Sequence, residues 1–383
     1  MPTIQRFRFG AARVIARVTL IVAAAACIAR PISLGAQSFP PKLSDPEFWK
    51  LITDFSEANG YFRSDNFVSN ETTYQWVIPD LLRTTKPGGV YLGVGPDQNF
   101  TYLVALKPKI AFIFDIRRQN MLTHLMYKAI IEQSSDRADF LARLFARPRP
   151  AGLDTSSSAD ALFGAYQAVA RDTIVARKNL VAMRDRLTKQ HGFTLSDDDL
   201  STIAYVYQAF VDAGPDLTYN FAQGRIGYGR GMPSYAQLQI EADSAGVRRS
   251  YMATEANFRL LKDLEVNNLV VPIVGDFAGP KAIRAVSTYL KDHHATVTAF
   301  YLSNVEQYLF NQEDDWRKFF GNVGALPLDS SSTFIRSVFN GMGFNRAGPG
   351  MRAQQMLASM LTQVRLFNEG RLASYYDVIQ TSR

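Results

Sequence analysis

The stretch VYLGVGPDQNFTYLVALKPKIAFIFD, residues 90–115, decides how this chain is read. Its first five residues, 90–94, are short and apolar, and Gly93 and Gly95 follow at their end, which predicts a buried strand entering a tight turn. Asn99 predicts a helix cap ahead of Phe100, Leu103, Val104 and Leu106. Residues 110–114 predict a second buried strand, stopped by Asp115. Gly95 and Asp115 stand twenty residues apart, the separation at which a nucleotide-binding βαβ unit presents an acid to ribose hydroxyls. A carboxylate suits that task because two vicinal hydroxyls can both donate to its two oxygens.

The turn narrows the ligand. Gln98 stands where a third glycine of G-x-G-x-x-G would be, and Asp97 sits just ahead of the helix. An acid there favours the helix dipole but repels a pyrophosphate. The turn therefore argues against NAD and FAD. It favours a ligand with a ribose, an adenine and a cationic end, such as S-adenosylmethionine. Asp97 as a plain helix cap is the competing reading.

The run GVGPDQNFTYLVALKPKIAFIFDIRRQN, with VVPIVGDFAGPKAIRAV and TVTAFYLSNVEQYL further on, resembles a family of uncharacterised bacterial proteins. Those proteins look like class I S-adenosylmethionine-dependent methyltransferases in fold. The resemblance covers residues 43–336. It implies an α/β, Rossmann-like fold with a methyltransferase-type, mostly parallel sheet, and methyl transfer if the protein is catalytic. The chain departs from the usual methyltransferase turn, with Tyr91 in place of an acid and Asp97 in place of a third glycine.

The N-terminus carries a different message. Arg6, Arg8, Arg13 and Arg17 precede an apolar run of small residues, 18–29, and then Leu34-Gly35-Ala36. The pattern predicts a secretory signal peptide cut after Ala36 and a periplasmic protein. Uncleaved anchoring in the inner membrane is the alternative, although the apolar run is short for a span. Residues 1–36 hold five arginines and no acids, so removing them lowers the net charge from +7 to +2. That leaves no nucleic-acid or membrane patch to argue from. Cys27 is the only cysteine, so the mature chain has no disulfide, thiol chemistry or cysteine zinc site. No acid or histidine spacing predicts a metal.

Residues 37–147 are expected to hold N-terminal helices and the first half of the sheet. Residues 148–253 read as a helical insertion, with a serine-rich linker, a helix capped by Ser196 and ended by Gly214-Pro215, a glycine-rich loop at 220–231 and a hairpin at 235–252. Residues 254–383 return to strands at 268–276, 296–302 and 333–339, then a packing helix at 351–368. Pro272 marks its strand as peripheral or irregular. Ser303 and Glu306 form a capping-box sequence. A helix capped at Ser69 or Asn70 places Asn66, Asn70 and Glu71 at the mouth of a cleft.

In a doubly wound sheet ligands bind beyond the strands' C-terminal ends, near the switch in strand order. Gly93, Gly95, Asp115, Asp276 and Asn304 all fall on that rim. Gly93 and Gly95 would admit a ligand close to the backbone, Asp115 would hold ribose, and Asp97 or Asp276 would face the cationic end. Asp276 is the preferred general base, with helix capping as its rival role. Tyr301 and Tyr308 add aromatic surface. Two functions follow: S-adenosylmethionine-dependent methyl transfer, or an exported, non-enzymatic protein that holds a small adenosine-like ligand in the same cleft.

Overall fold

The computed structural model describes residues 39–219, 231–339 and 353–383. The expected signal segment, the glycine-rich loop at 220–230 and the loop at 341–350 lie outside the described residues. In chain order the elements are α1 (Asp45–Phe55), α2 (Ile78–Thr84), β1 (Val90–Val94), α3 (Gln98–Leu106), β2 (Ile110–Asp115), α4 (Arg118–Gln133) and α5 (Arg137–Leu144). Then come α6 (Ala159–Gln167), α7 (Thr173–Asp185), α8 (Asp197–Ala213), α9 (Tyr235–Ile240) and α10 (Glu255–Val266). The chain returns through β3 (Val270–Val274), α11 (Ala282–Asp292), β4 (Val297–Ser303), α12 (Val305–Leu309) and α13 (Asp315–Ala325). It closes with β5 (Leu328–Phe339), β6 (Ala353–Ser359), α14 (Met360–Asn368) and α15 (Tyr375–Gln380).

The strands form one six-stranded sheet in the order β3-β2-β1-β4-β5-β6. All neighbours run parallel except β5 and β6. Every residue of β1 and β2 is buried, as apolar strands covered by helices on both faces must be. The protein is therefore α/β. Strand order reverses between β1 and β4, so the ends of those two strands flank the switch point. Under them Phe277 stacks on Phe319 with ring centres 5.5 Å apart, and Phe300 meets Phe277 edge-on at 5.0 Å.

Pro272 lies on β3, which is an edge strand. Gly275 N–H donates to the Asp115 carbonyl, which directs the odd-numbered amides of β3 toward β2. The amides of 272 and 274 face outward, where Val274 N–H finds Ser56 Oγ at 3.0 Å. A missing N–H at Pro272 thus costs no ladder bond. α8 starts at Ser196, whose side chain accepts from Asp199 N while Asp199 reaches back, and it ends before Gly214.

Other expectations give way. The hairpin at 235–252 is instead α9 followed by turns, because Ser234 and Gln237 form a capping box that starts a helix. The helix expected from 351 begins only at Met360; residues 353–359 are β6, whose pairing with β5 outweighs the helical spacing of its apolar residues. Residues 72–77 form turns, so α2 starts at Ile78 rather than near Asn70. Asn304 precedes α12 without a side-chain cap bond. Ser303 and Glu306 do not form a box, since Ser303 donates to Glu71 and Glu306 pairs with Arg336. The inserted helices α6 to α9 share one hydrophobic core with the sheet, and residues 39–383 form one unit. Among the described residues no helix is long and apolar enough to cross a membrane.

Buried ion pairs anchor distant segments. Lys128 Nζ lies 2.8 Å from Glu132, which also takes Arg186 at 2.6 Å and His191 at 2.7 Å. Burial alone would raise the Glu132 carboxyl, but His191, Lys128 and Arg186 pull it down to about 2. On β5, Arg336 donates to both oxygens of Glu306, at 2.7 and 3.1 Å, and to Ser382 near the C-terminus. Both side chains are fully enclosed. Glu306→Leu should therefore cost about 3–5 kcal/mol by leaving a buried guanidinium unpaired. The Glu306→Leu/Arg336→Met double variant should regain most of that. Urea unfolding measures both, and a double variant no more stable than the single one contradicts the account.

Candidate functional site

β1 leads into Gly95, whose φ of +80° is strained for any other residue type. Its carbonyl oxygen accepts from His124 Nε2 at 2.9 Å, Asn120 Nδ2 at 3.2 Å and Asn99 Nδ2 at 3.3 Å. Asn99 also donates to the Val94 and Pro96 carbonyls and accepts from Tyr91 OH. It lies inside α3 and holds the turn, while Asp97 takes the cap position. His124 is packed: burial pushes its imidazole down to about 4, so it is neutral and carries its proton on Nε2. A Cβ at Gly93 would stand 2.0 Å from Asn99 Oδ1. Gly93 is small for the sake of that contact and does not line the cleft.

Beyond the strand ends lies a cleft of about 220 Å³. Gly95, Asp115, Asp276 and Asn304 line it together, one from the end of each of β1, β2, β3 and β4. The segment before α2 supplies Tyr61, Phe62, Asn66, Asn70 and Glu71. Tyr219 and Tyr308 complete its aromatic side, and Phe62 meets Tyr308 edge-on at 5.6 Å. Tyr301 lies beneath, fully buried. A wider groove of about 570 Å³ opens alongside at Arg118, Asp199 and Tyr205. Arg118 and Asp199 neutralise each other there at 2.6 and 2.8 Å, and no strand end but that of β2 approaches it.

Asp115 is not free. Arg117 Nε and backbone N donate to Oδ1 at 3.0 and 2.9 Å, and Arg117 Nη2 donates to Oδ2 at 2.9 Å. The same guanidinium donates to the Ser64 and Asp65 carbonyls. A carboxylate has about four acceptor positions, so three are filled and one remains on Oδ2. A ribose can therefore engage Asp115 through one hydroxyl rather than two.

Glu71 is enclosed in the cleft wall at 1% exposure. Its carboxylate accepts from Tyr301 OH at 2.6 Å, from the hydroxyls of Ser303 and Ser337, and from Gln355 Nε2 at 3.4 Å. Burial raises its affinity for a proton, and those four donors oppose the rise. Ser303 reaches Glu71 from a left-handed backbone, φ +51°, at the end of β4.

Asp276 is exposed at the rim. Its Oδ1 accepts from Ala278 N at 2.8 Å, and Oδ2 has no partner among the described residues. Partial shielding of the carboxyl from water by its neighbours, with the charges of Asp315 and Glu57 nearby, raises it above the ordinary value. Glu57 fills the backbone cradle beside it, accepting from the amides of Asp276, Lys281 and Ala282 at 2.8–2.9 Å. The place at the start of α11 where a phosphate would sit is thus held by the protein's own carboxylate.

Asp97 lies away from the cleft. It is buried at 1% exposure and accepts from Gln239 Nε2 at 2.8 Å and Tyr251 OH at 3.0 Å. Sequence reasoning gave it a ligand-facing role because only the turn was visible; the partners that turn it inward lie about 140 and 150 residues on. The same reasoning passed over Tyr61, Phe62, Tyr219 and the pairing of Arg117. The aromatic pair after Gly60, and an arginine two residues past the strand-end acid, were the available signals. Among the described residues no three histidine, cysteine or carboxylate side chains are grouped to hold a metal.

The α/β sheet carries its cleft at the reversal of strand order, the position at which open parallel sheets as a class bind ligands. The chain matches, over residues 66–209 and 219–374, the family described as Domain of unknown function (DUF7790). It belongs to that family. No curated protein matches it.

Burial pushes the Asp97 carboxyl up to about 7, whereas in the unfolded chain it ionises near 3.8. The folded state therefore holds the extra proton between those values, and stability from this group falls as pH rises through the window. Asp97→Asn keeps an oxygen for Gln239 and Tyr251. It should match the wild type near pH 4 and exceed it at pH 8 by roughly 4 kcal/mol at most. Urea midpoints across that range test it, and parallel pH profiles for the two proteins would contradict it.

Proposed function

We propose that the strand-end cleft binds a small adenosine-containing ligand, with S-adenosylmethionine as the candidate cofactor and methyl transfer as the reaction. One observation carries this reading: Gly95, Asp115, Asp276 and Asn304 come from four different strands and meet in one cleft at the switch point. The strand order, with only the last strand antiparallel, supports a Rossmann-like sheet of methyltransferase type. Tyr61, Phe62 and Tyr308 offer faces for an adenine. Asp115 has one acceptor position left for a ribose hydroxyl. Glu57 occupies the phosphate cradle, which favours a ligand without phosphate. Asp276, with one free oxygen and a raised proton affinity, is the candidate general base. The protein's share of the catalysis would be alignment of acceptor and methyl group.

A second reading, non-enzymatic binding of a small adenosine-like or other ligand, has its own support. Arg117 occupies most of Asp115, which weakens a ribose clamp. The basic-then-apolar N-terminal segment supports export to the periplasm, away from the cytoplasmic methyl donor. The two readings differ in outcome: the enzyme consumes S-adenosylmethionine, and the binder returns it unchanged.

Calorimetric titration of the purified protein with S-adenosylmethionine, S-adenosylhomocysteine and adenosine should give micromolar affinity, roughly −8 kcal/mol. Asp115→Ala should weaken it at least tenfold in a variant whose circular dichroism is unchanged. Affinity untouched by that substitution sinks the assignment. N-terminal sequencing of protein recovered from the periplasmic fraction should begin at Gln37; an intact N-terminus in the cytoplasm rejects the export reading.

A further inference from the structure

The carboxylates of the cleft outnumber its positive charges. Glu71, Asp115 and Asp276 line it, and Arg117 is the one basic residue among its described lining. Arg117 is committed to Asp115 and to two backbone carbonyls. Near Asp276 the ammonium of Lys318 is paired with Asp315 at 2.7 Å. Among the described residues Glu71 meets hydroxyls and one amide but no cation. A buried carboxylate without a counter-ion is costly, and a ligand can supply what the chain omits.

A second, independent feature points the same way. Gln98, at 4% exposure, lines the cleft. Its Nε2 donates to Tyr301 OH at 3.1 Å. That orientation is set by Tyr301, whose single proton goes to Glu71 at 2.6 Å, so the tyrosine oxygen can only accept from Gln98. Gln98 Oε1 is left buried with no partner. The orphaned acceptor calls for a hydrogen-bond donor and the carboxylate without a counter-ion for positive charge; an ammonium group supplies both, and a sulfonium the charge alone.

We infer that the cleft selects a small organic cation, its ammonium or sulfonium group drawn by the charge of the Glu71 and Asp276 carboxylates that line it. This rests on the reading of the cleft as a ligand site, and not on the ligand's being an adenosine. Glu71 is the specificity-determining residue. It lies on the β4–β5 side of the switch point, Asp276 on the β2–β3 side, and the aromatic faces of Phe62 and Tyr308 line the space with them. Those faces add cation–π attraction. Anionic ligands meet two uncompensated carboxylates and a cradle already filled by Glu57.

The test uses the purified full chain at constant ionic strength. Propylammonium and trimethylsulfonium are the cationic probes, propanol the neutral control and propionate the anionic one. NMR titration and thermal shift should show the cations binding at least tenfold more tightly than propanol, and propionate not at all. Glu71→Gln should remove that preference, and Asp276→Asn, at an exposed position, should reduce it. If Glu71→Gln fails to fold, the charge preference of the wild type and its reduction in Asp276→Asn decide the matter. Equal binding of propanol, binding of propionate, no binding of any probe, or selectivity unchanged in both variants overturns the inference. Cation binding without affinity for S-adenosylmethionine or adenosine would remove the adenosine proposal and keep this one. Adenosine binding as tight as S-adenosylmethionine, with no preference among the small probes, would do the reverse.

Discussion

Three side chains from two helices converge on the carbonyl oxygen of Gly95, and the geometry of the strand ends depends on that meeting. Asn99 comes from α3, Asn120 and His124 from α4. They hold a left-handed turn at the point where strand order reverses, so the β1 terminus cannot drift relative to β2. Gly93 is excluded from a ligand role by the same arrangement, because Asn99 needs the space its missing side chain leaves. The neutral state of His124 follows from it too: a ring buried against a carbonyl donates through Nε2, and burial outweighs the pull of the Asp115 charge toward a second proton.

Charge is placed with the same economy of contact. Inside the helical layers, buried ions come with partners: Lys128 with Glu132, Arg137 with Glu255, Arg336 with Glu306. Arg137 and Glu255 are 118 residues apart, Glu132 ties α4 to Arg186 and His191, and Arg336 joins Glu306 to Ser382 near the end of the sequence. The cleft departs from the pattern. There, among the described residues, Glu71 meets three hydroxyls and one amide, Asp276 keeps one oxygen unbonded, and the one arginine of the lining is already occupied. Protein interiors rarely keep such charges except where something else completes them.

The strand–turn–helix–strand unit was legible in residues 90–115 because buried parallel strands are short, continuous apolar runs and glycine punctuates them. Pro272 was legible for a similar reason, since its missing N–H restricts it to an edge. The helix at 197–213 was legible from Ser196, three acids and Gly214-Pro215. β6 was not, because residues 353–359 have apolar positions that also suit a helix, and the decision belongs to β5 beside them. The hairpin expected around residues 243–246 failed in the same way: local turn signals were real, but the Ser234–Gln237 box committed the preceding residues to a helix.

For the site, the sequence by itself determined which residues reach the strand ends. Gly95, Asp115, Asp276 and Asn304 follow apolar runs, and a parallel sheet delivers all such positions to one edge. Only the tertiary structure decided what those residues are able to do there. Asp97 turns inward because Gln239 and Tyr251 wait for it, Asp115 is held by Arg117, and Glu71 is enclosed by groups from β4, β5 and β6. Adjacency along the chain sets where a backbone goes, and it places Arg117 beside Asp115, whereas the states of Asp97 and Glu71 depend on neighbours 142 to 284 residues away, and those meet them only after the chain has folded.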